Sequence, residues 1–176
     1  SAGYYHALMV AFPCSTFSIS RFFDASTVDG ADRGPPVIRT RSHPDGLPDD
    51  QVDPRHRKEL RVSNELLVRT VAIALAARAS PARSMIIVEN PADRSVEGTV
   101  AFAPEFAEHG SLFATTAFKR LAAVVGFRHV TFAYCRLGAE HQKYTSLYYT
   151  PEAASVLDSL GGPDYQCNHP RGTHTG

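Results

Sequence analysis

The chain has 176 residues, of which 43% are hydrophobic and 20% charged, a composition typical of one globular domain and not of a disordered protein. Its 18 Lys and Arg residues balance its 18 Asp and Glu residues, which disfavours both a strongly basic nucleic-acid binder and an acidic tail. No apolar run reaches the roughly 18 residues of a membrane span, and no signal peptide is recognisable. Three widely spaced cysteines disfavour a disulfide scaffold, so we expect a protein of an intracellular, reducing compartment.

The first half of the chain predicts a strand, a long loop and a long helix. The apolar run at 4–12 ends at a proline and predicts a buried strand. Residues 15–53 are rich in Gly, Pro and Asp, which predicts a long active-site loop with a short helix near 18–24. Residues 54–79 begin with proline, carry apolar residues at helical spacing and therefore predict a helix.

The second half alternates strands and helices. Such alternation predicts an α/β fold of three layers, with crossover helices around a mostly parallel sheet. We expect this domain to cover residues 1–160, followed by an irregular Cys/His-bearing tail over 161–176. The predicted elements are a strand at 85–88, a helix at 111–125, strands at 128–135 and 144–149, and a short helix at 152–160.

Reactive residues stand where the predicted strands end. In open parallel sheets ligands bind beyond the carboxyl ends of the strands, which makes these positions candidate sites. Cys14 follows the first strand and is either a nucleophile or a small buried residue. Glu89 ends the next apolar strand and is either a placed acid or a solvated strand end, with Asn90 and Pro91 forming a rigid turn beside it.

Two further groups of polar residues are candidates for binding. Gln142 and Lys143 lie between two predicted strands and either contact a phosphate or base edge, or belong to a polar hairpin connection. The tail carries the pattern C-x-H-x4-H, which suits zinc if Cys135 is the fourth ligand, and which is otherwise a polar tail with incidental histidines. The tail residues of this pattern are Cys167, His169 and His174.

Three segments together resemble the DNA (cytosine-5) methyltransferases. Residues 12–18, F-P-C-S-T-F-S, are similar to the Pro-Cys loop of that family. Val88-Glu89-Asn90 is similar to its Glu-Asn-Val strand end, and residues 134–147 resemble its late Y-G-x-x-Q-R-x-R segment. The E-N-P turn and the Cys/His-bearing tail resemble short, divergent phage-like or mobile-element relatives. The resemblance implies a truncated Rossmann-like methyltransferase core.

The family's chemistry would carry over to two residues. Cys14 would attack C6 of a cytosine flipped out of a nucleic-acid duplex, and Glu89 would hold and protonate N3. The activated C5 would then accept a methyl group from S-adenosylmethionine. The 15–53 loop would act as a clamp, with Arg21, Arg39 and Arg41 available for phosphates. The expected substrate-binding residues are Pro13, Ser15, Ser18, Arg21, Asn90, Gln142 and Lys143.

The segment before Pro13 lacks the glycine-rich turn that binds the cofactor in this family. We therefore expect the cofactor half to lie on a second chain or in a missing N-terminal half. One alternative is a non-catalytic nucleic-acid-binding or scaffold subunit of a larger assembly, which has lost cofactor binding. Another is a structural domain stabilised by zinc.

Overall fold

A computed structural model describes residues 5–23, 34–170 and 174. Short 3-10 turns connect its regular elements, and no helix in the described ranges is long and apolar enough to cross a membrane. In chain order the elements are β1 (Ala7–Ala11), α1 (Pro54–Ala79), β2 (Met85–Pro91), α2 (Thr116–Val125), β3 (Arg128–Ala133), β4 (Tyr144–Tyr149) and α3 (Ala154–Leu157).

Within the described residues, four strands form one mixed sheet in the order β1-β2-β4-β3. β1 and β2 pair in parallel, whereas β4 is antiparallel to both β2 and β3. The prediction of a mostly parallel, three-layer Rossmann-like sheet is therefore wrong: the chain is a small α/β fold with a mixed sheet. A parallel crossover needs about a dozen or more residues, usually including a helix. Residues 134–143 contain only a 3-10 turn, so the chain returns antiparallel as β4.

The strand directions bring several loops to one edge of the sheet. Because β4 opposes both of its neighbours, β1, β2 and β3 all point the same way. The carboxyl ends of these strands therefore lie at the same edge as the start of β4. The segments following β1 and β2, and the β3–β4 connection, meet there.

Of the two long predicted helices, the first is confirmed at its predicted bounds and the second only in part. α1 covers the predicted 54–79, and the Asp53 side chain caps it by accepting a hydrogen bond from the Arg55 backbone N–H. The helix predicted at 111–125 is divided, with a 3-10 turn before α2. The Thr115 hydroxyl accepts from the Phe118 N–H and starts α2 there, while Gly126, at φ 69°, ends it.

The strands differ from their predicted bounds for local reasons. β1 is shorter than the predicted 4–12, of which residue 4 lies outside the described residues. β2 continues beyond 88 because Glu89, Asn90 and Pro91 pair with β4. β3 stops at Ala133, where a 3-10 turn begins, and β4 agrees with its prediction. The helix predicted at 152–160 is a series of short turns around α3.

Both long helices pack on the same face of the sheet. Leu67 of α1 and Phe118 of α2 join Ile86 and Val88 of β2 in one buried cluster. On the opposite face, residues such as Tyr149 pack against the short C-terminal turns. The long helices therefore do not flank the sheet on both sides, as crossover helices of the predicted fold would.

The described parts of the 15–53 loop, 15–23 and 34–53, are packed on α1. They contain a 3-10 turn at Ile19–Phe22 where a short helix was predicted, and residue 24 of that prediction lies outside the described residues. Ile38 and Val52 are buried together with Leu60 of α1. This packing fixes the loop that follows Cys14 against the helical layer.

Candidate functional site

The site begins where β1 and β2 end side by side. Ala11 of β1 pairs with Glu89 of β2, and the Asn90 amide donates a 3.0 Å hydrogen bond to the Phe12 carbonyl. Asn90 is fully buried, so this bond joins the two strand ends inside the protein. The bond fixes the point at which the Pro-Cys loop (residues 12–18) leaves the sheet, and therefore helps to position Cys14.

Buried arginine side chains hold the Pro-Cys loop in place. The Phe17 N–H donates to the Cys14 carbonyl at 2.8 Å and closes a turn. The Arg39 guanidinium lies 4.1 Å from the centroid of the buried Phe17 ring and donates to the Thr16 hydroxyl. Burial lowers the pKa of Arg39 to about 10, which leaves it protonated at neutral pH. Arg21 donates to the Ser15 carbonyl at 2.6 Å.

The three arginines expected at phosphates occupy different environments. Arg21 is 5% exposed, and its guanidinium also bonds the Pro36 carbonyl and Glu59. Arg39 is 1% exposed. Arg41 is exposed and donates to the Ser95 carbonyl at 3.3 Å. Of the three, Arg41 is therefore the one whose side chain solvent reaches freely.

Glu89 presents a carboxylate oxygen that is buried and unpartnered. Its Oε1 is inaccessible to solvent and accepts no hydrogen bond within the described structure. The Lys143 ammonium lies 3.5 Å from Oε1, a contact between charges that lacks hydrogen-bond alignment. Glu89 thus has an acceptor site free for a donor other than Lys143.

A cavity of about 670 Å³ opens at this edge of the sheet. Its walls include Cys14 and Ser18 from the Pro-Cys loop, and Gln142 and Lys143 from the β3–β4 connection. Pro13 and Ser15 instead line a separate open cleft against α1. The structure therefore brings four of the predicted catalytic and substrate-binding residues to one cavity, and Glu89 is in contact with it through Lys143.

The predicted zinc ligands form one compact cluster. We call Cys135, Cys167, His169 and His174 the metal cluster, since one ligand atom from each lies within 4.8 Å of all the others. The Cys167 Sγ is 3.6 Å from Nδ1 of His169 and 3.3 Å from Nε2 of His174. These four side chains could hold a metal ion.

The ligands of the cluster also interact with one another. Nδ1 of His174 is 3.3 Å from the Glu140 carbonyl oxygen, and its Nε2 faces the Cys167 sulfur. Burial acts to raise the pKa of Cys167, but hydrogen bonds from His174 and His169 outweigh it and lower the pKa to about 6. Burial and the neighbouring Cys167 raise the pKa of Cys135. All three cysteines of the chain are free thiols.

The tail is anchored by contacts that are distant in sequence. The Gln166 amide donates to the Thr131 carbonyl at 2.9 Å, and the Cys167 N–H donates to the Tyr144 hydroxyl at 3.3 Å. These bonds carry the tail back across the sheet to Cys135. Sequence reasoning found the ligands from their spacing but not this anchoring, because the partners are not adjacent along the chain.

The metal cluster also forms part of the cavity wall. His169 and His174 line the same cavity as Cys14. Sequence reasoning missed Arg94, Phe106 and Tyr144, which line it as well. Phe106 ends a 3-10 turn (Pro104–Phe106) that is too short to show periodicity in the sequence, and the sole signal at Arg94 is a cation soon after the Glu-Asn-Pro turn.

Comparison with models of known protein families, with curated proteins and with solved structures found no match for this chain. The functional assignment therefore depends on the chemistry of this edge of the sheet.

Proposed function

We propose that the chain activates cytosine bases in nucleic acid through Cys14, as the catalytic part of a methyl transfer to C5. The observation that supports this function most strongly is that Cys14 and Lys143 line one cavity, and that the Lys143 ammonium lies 3.5 Å from the buried Glu89 oxygen, which has no hydrogen-bond partner. A thiol at the cavity and a carboxyl group next to its wall are the two groups that addition to a pyrimidine ring requires.

The proposed step uses both groups at once. The Cys14 sulfur forms a bond to C6 while its thiol proton goes to solvent, and the C5=C6 electron pair moves towards C4. The ring electrons displaced to N3 take a proton from the protonated form of Glu89, which becomes the carboxylate. The product is a ring with an electron-rich C5, which can accept a methyl group. After methylation, the C5 proton goes to solvent, the C5=C6 bond forms again and Cys14 leaves as a thiolate, while the N3 proton returns to Glu89.

The described residues do not fit the methyl donor that the resemblance implies. In that part of the chain, no strand leads into a glycine-rich turn whose backbone could approach a nucleotide. β1 leads directly to Pro13 and Cys14. We therefore assign no residue to S-adenosylmethionine and derive no step through it.

Covalent capture tests the proposed function without a methyl donor. A DNA strand containing 5-azacytosine has a nitrogen at position 5, which makes C6 more electrophilic and can itself take a proton. We expect wild-type protein to form an adduct that survives denaturing electrophoresis, and Cys14→Ser to form none. Capture that persists in Cys14→Ser would exclude Cys14 as the nucleophile.

Glu89→Gln tests the acid separately. We expect it to slow capture at least a hundredfold, within the range of about 10² to 10⁴ for general acid catalysis, while strand binding changes little. Glu65→Gln, on the exposed surface of α1, is the matched control and should capture at the wild-type rate. Strand binding without any capture would support the alternative of a non-catalytic nucleic-acid-binding subunit.

We further propose that the metal cluster binds zinc as a structural site. Zn–S and Zn–N bonds of about 2.3 and 2.0–2.1 Å place sulfur and nitrogen about 3.6 Å apart across a tetrahedral ion. The observed separations of 3.6 and 3.3 Å are close to this value. Two thiols and two imidazoles match the ligand set of structural zinc, and the reducing compartment expected from the sequence would keep both thiols free.

Metal content and thermal unfolding test the zinc site. We expect one zinc per chain by plasma mass spectrometry, with a lower unfolding midpoint after chelation because the ion ties the tail to Cys135. Cys167→Ser should lose the metal, whereas Cys14→Ser should retain it. Protein purified with zinc supplied that carries none would contradict the assignment.

A further inference from the structure

Arg94 lies between two aromatic rings at the cavity wall. Its guanidinium carbon is 5.7 Å from the centroid of the Phe106 ring and 5.2 Å from that of Tyr144. All three residues line the cavity that Cys14 enters. The rings hold the guanidinium plane by cation–π attraction but provide no acceptor in that plane for its N–H groups.

The Arg94 side chain has no hydrogen-bond partner among the residues that the structure describes. Its Nε is buried without a hydrogen-bond acceptor, and its guanidinium forms no ion pair in the described parts of the chain. The adjacent Asp93 is occupied by the N–H and hydroxyl of Ser95 and by His109 at 3.9 Å. The exposed Glu105 also lines the cavity and influences Arg94 without bonding to it.

A partly buried cation with unsatisfied donors is costly unless a ligand completes it. The guanidinium offers a planar fork of donors that matches two oxygens of a phosphate or carboxylate group. Lys143 adds a second cation to the same wall. The chemistry of this wall therefore selects an anion.

We propose that Arg94, assisted by Lys143, forms an anion subsite that takes a phosphate group beside the base-binding part of the cavity. This inference rests on the proposed function, because a cytosine held near Cys14 brings its own backbone phosphates to the cavity. The phosphate could belong to a nucleic-acid strand or to a free nucleotide, which the same fork of donors would recognise.

A strand without cytosine tests the subsite independently of Cys14 chemistry. We would measure the binding of a labelled thymidine oligonucleotide to wild type and Arg94→Met over a series of salt concentrations. Loss of one phosphate contact should weaken binding about tenfold and reduce the slope of log K against log salt by about 0.7. Arg94→Lys should retain part of the affinity, since it keeps the charge and loses the fork.

Two controls are needed. One excludes a folding defect, and the other distinguishes a phosphate of a nucleic-acid strand from that of a free nucleotide. Arg69→Met removes an exposed arginine of α1 outside the cavity and should bind as wild type, and unfolding midpoints would show that each variant is folded. An Arg94 effect seen with thymidine monophosphate alone would assign the subsite to free nucleotides. Unchanged binding of both probes by Arg94→Met, or no binding of either by wild type, would overturn the subsite. Failed capture by Cys14 would not produce either result.

Discussion

Asn90 joins the strand that carries Glu89 to the loop that carries Cys14. Its amide donates to the Phe12 carbonyl across 78 residues of sequence, and the side chain is fully buried. A buried carbonyl left without a donor costs about 1–3 kcal/mol. This hydrogen bond therefore adds to the β1–β2 pairing in fixing the position of Cys14 relative to β2.

Replacing Asn90 tests this connection. We expect Asn90→Ala to lower the free energy of unfolding by about 1–3 kcal/mol, because the Phe12 carbonyl loses its buried donor. Urea unfolding would measure the change, with the exposed Gln51→Ala as the control that leaves stability intact. A wild-type unfolding midpoint for Asn90→Ala would show that the bond does not hold the strand ends together.

At the scale of residues, candidate site residues could be predicted where their positions follow from neighbouring residues in the sequence. Cys14 lies three positions after the end of β1 and Glu89 lies two positions before the end of β2, and the hydrophobic runs before them indicate both positions. The role of Arg21 could not be predicted, since its partners Pro36 and Glu59 come from distant parts of the chain. Arg94 was missed for the same reason.

At the scale of elements, α1 and the loop after β1 form one unit through Arg39. Its guanidinium donates to the Pro44 carbonyl, to the Ser63 hydroxyl and to Asn64 of α1, at distances from 2.7 to 3.2 Å. The same group lies over Phe17 in the Pro-Cys loop. The helix therefore supports the loop that presents Cys14.

Arg39→Met keeps most of the side-chain volume and removes the donors. We expect a loss of about 2–3 kcal/mol in unfolding free energy, since buried acceptors lose hydrogen bonds from a charged group. We also expect slower capture of the 5-azacytosine strand, because Cys14 is held less firmly. Arg61→Met, at an exposed position of α1, is the matched control. Capture at the wild-type rate by a destabilised Arg39→Met would show that the contacts of Arg39 with α1 do not position Cys14 for the reaction.

Helices were more predictable than strand pairing. The bounds of α1 follow from proline, from an N-cap at Asp53 and from helical spacing of its apolar residues, all of which are local signals. The pairing of β2 with β4 joins residues such as Glu89 and Leu147, and no periodicity along the chain encodes it. Alternation of strands and helices suggested parallel neighbours, but the short β3–β4 connection produced an antiparallel strand.

At the scale of the whole molecule, the antiparallel direction of β4 makes the sheet mixed, but the loops of the candidate site still lie at one edge of the sheet. Three strands still end at one edge, and β4 adds Gln142 and Lys143 there because it starts where the others finish. The folded-back tail closes the same cavity with His169 and His174. The location of the candidate site was therefore predictable even though the sheet order was not.

Mapping the captured adduct is the most direct test that Cys14 reacts with a base from this cavity. Wild-type protein would be loaded with zinc, captured on the 5-azacytosine strand, digested and sequenced by mass spectrometry. We expect a nucleotide adduct on the peptide that contains Cys14, with the thiols of Cys135 and Cys167 unmodified. An adduct on either cluster cysteine, or no adduct at all, would contradict it.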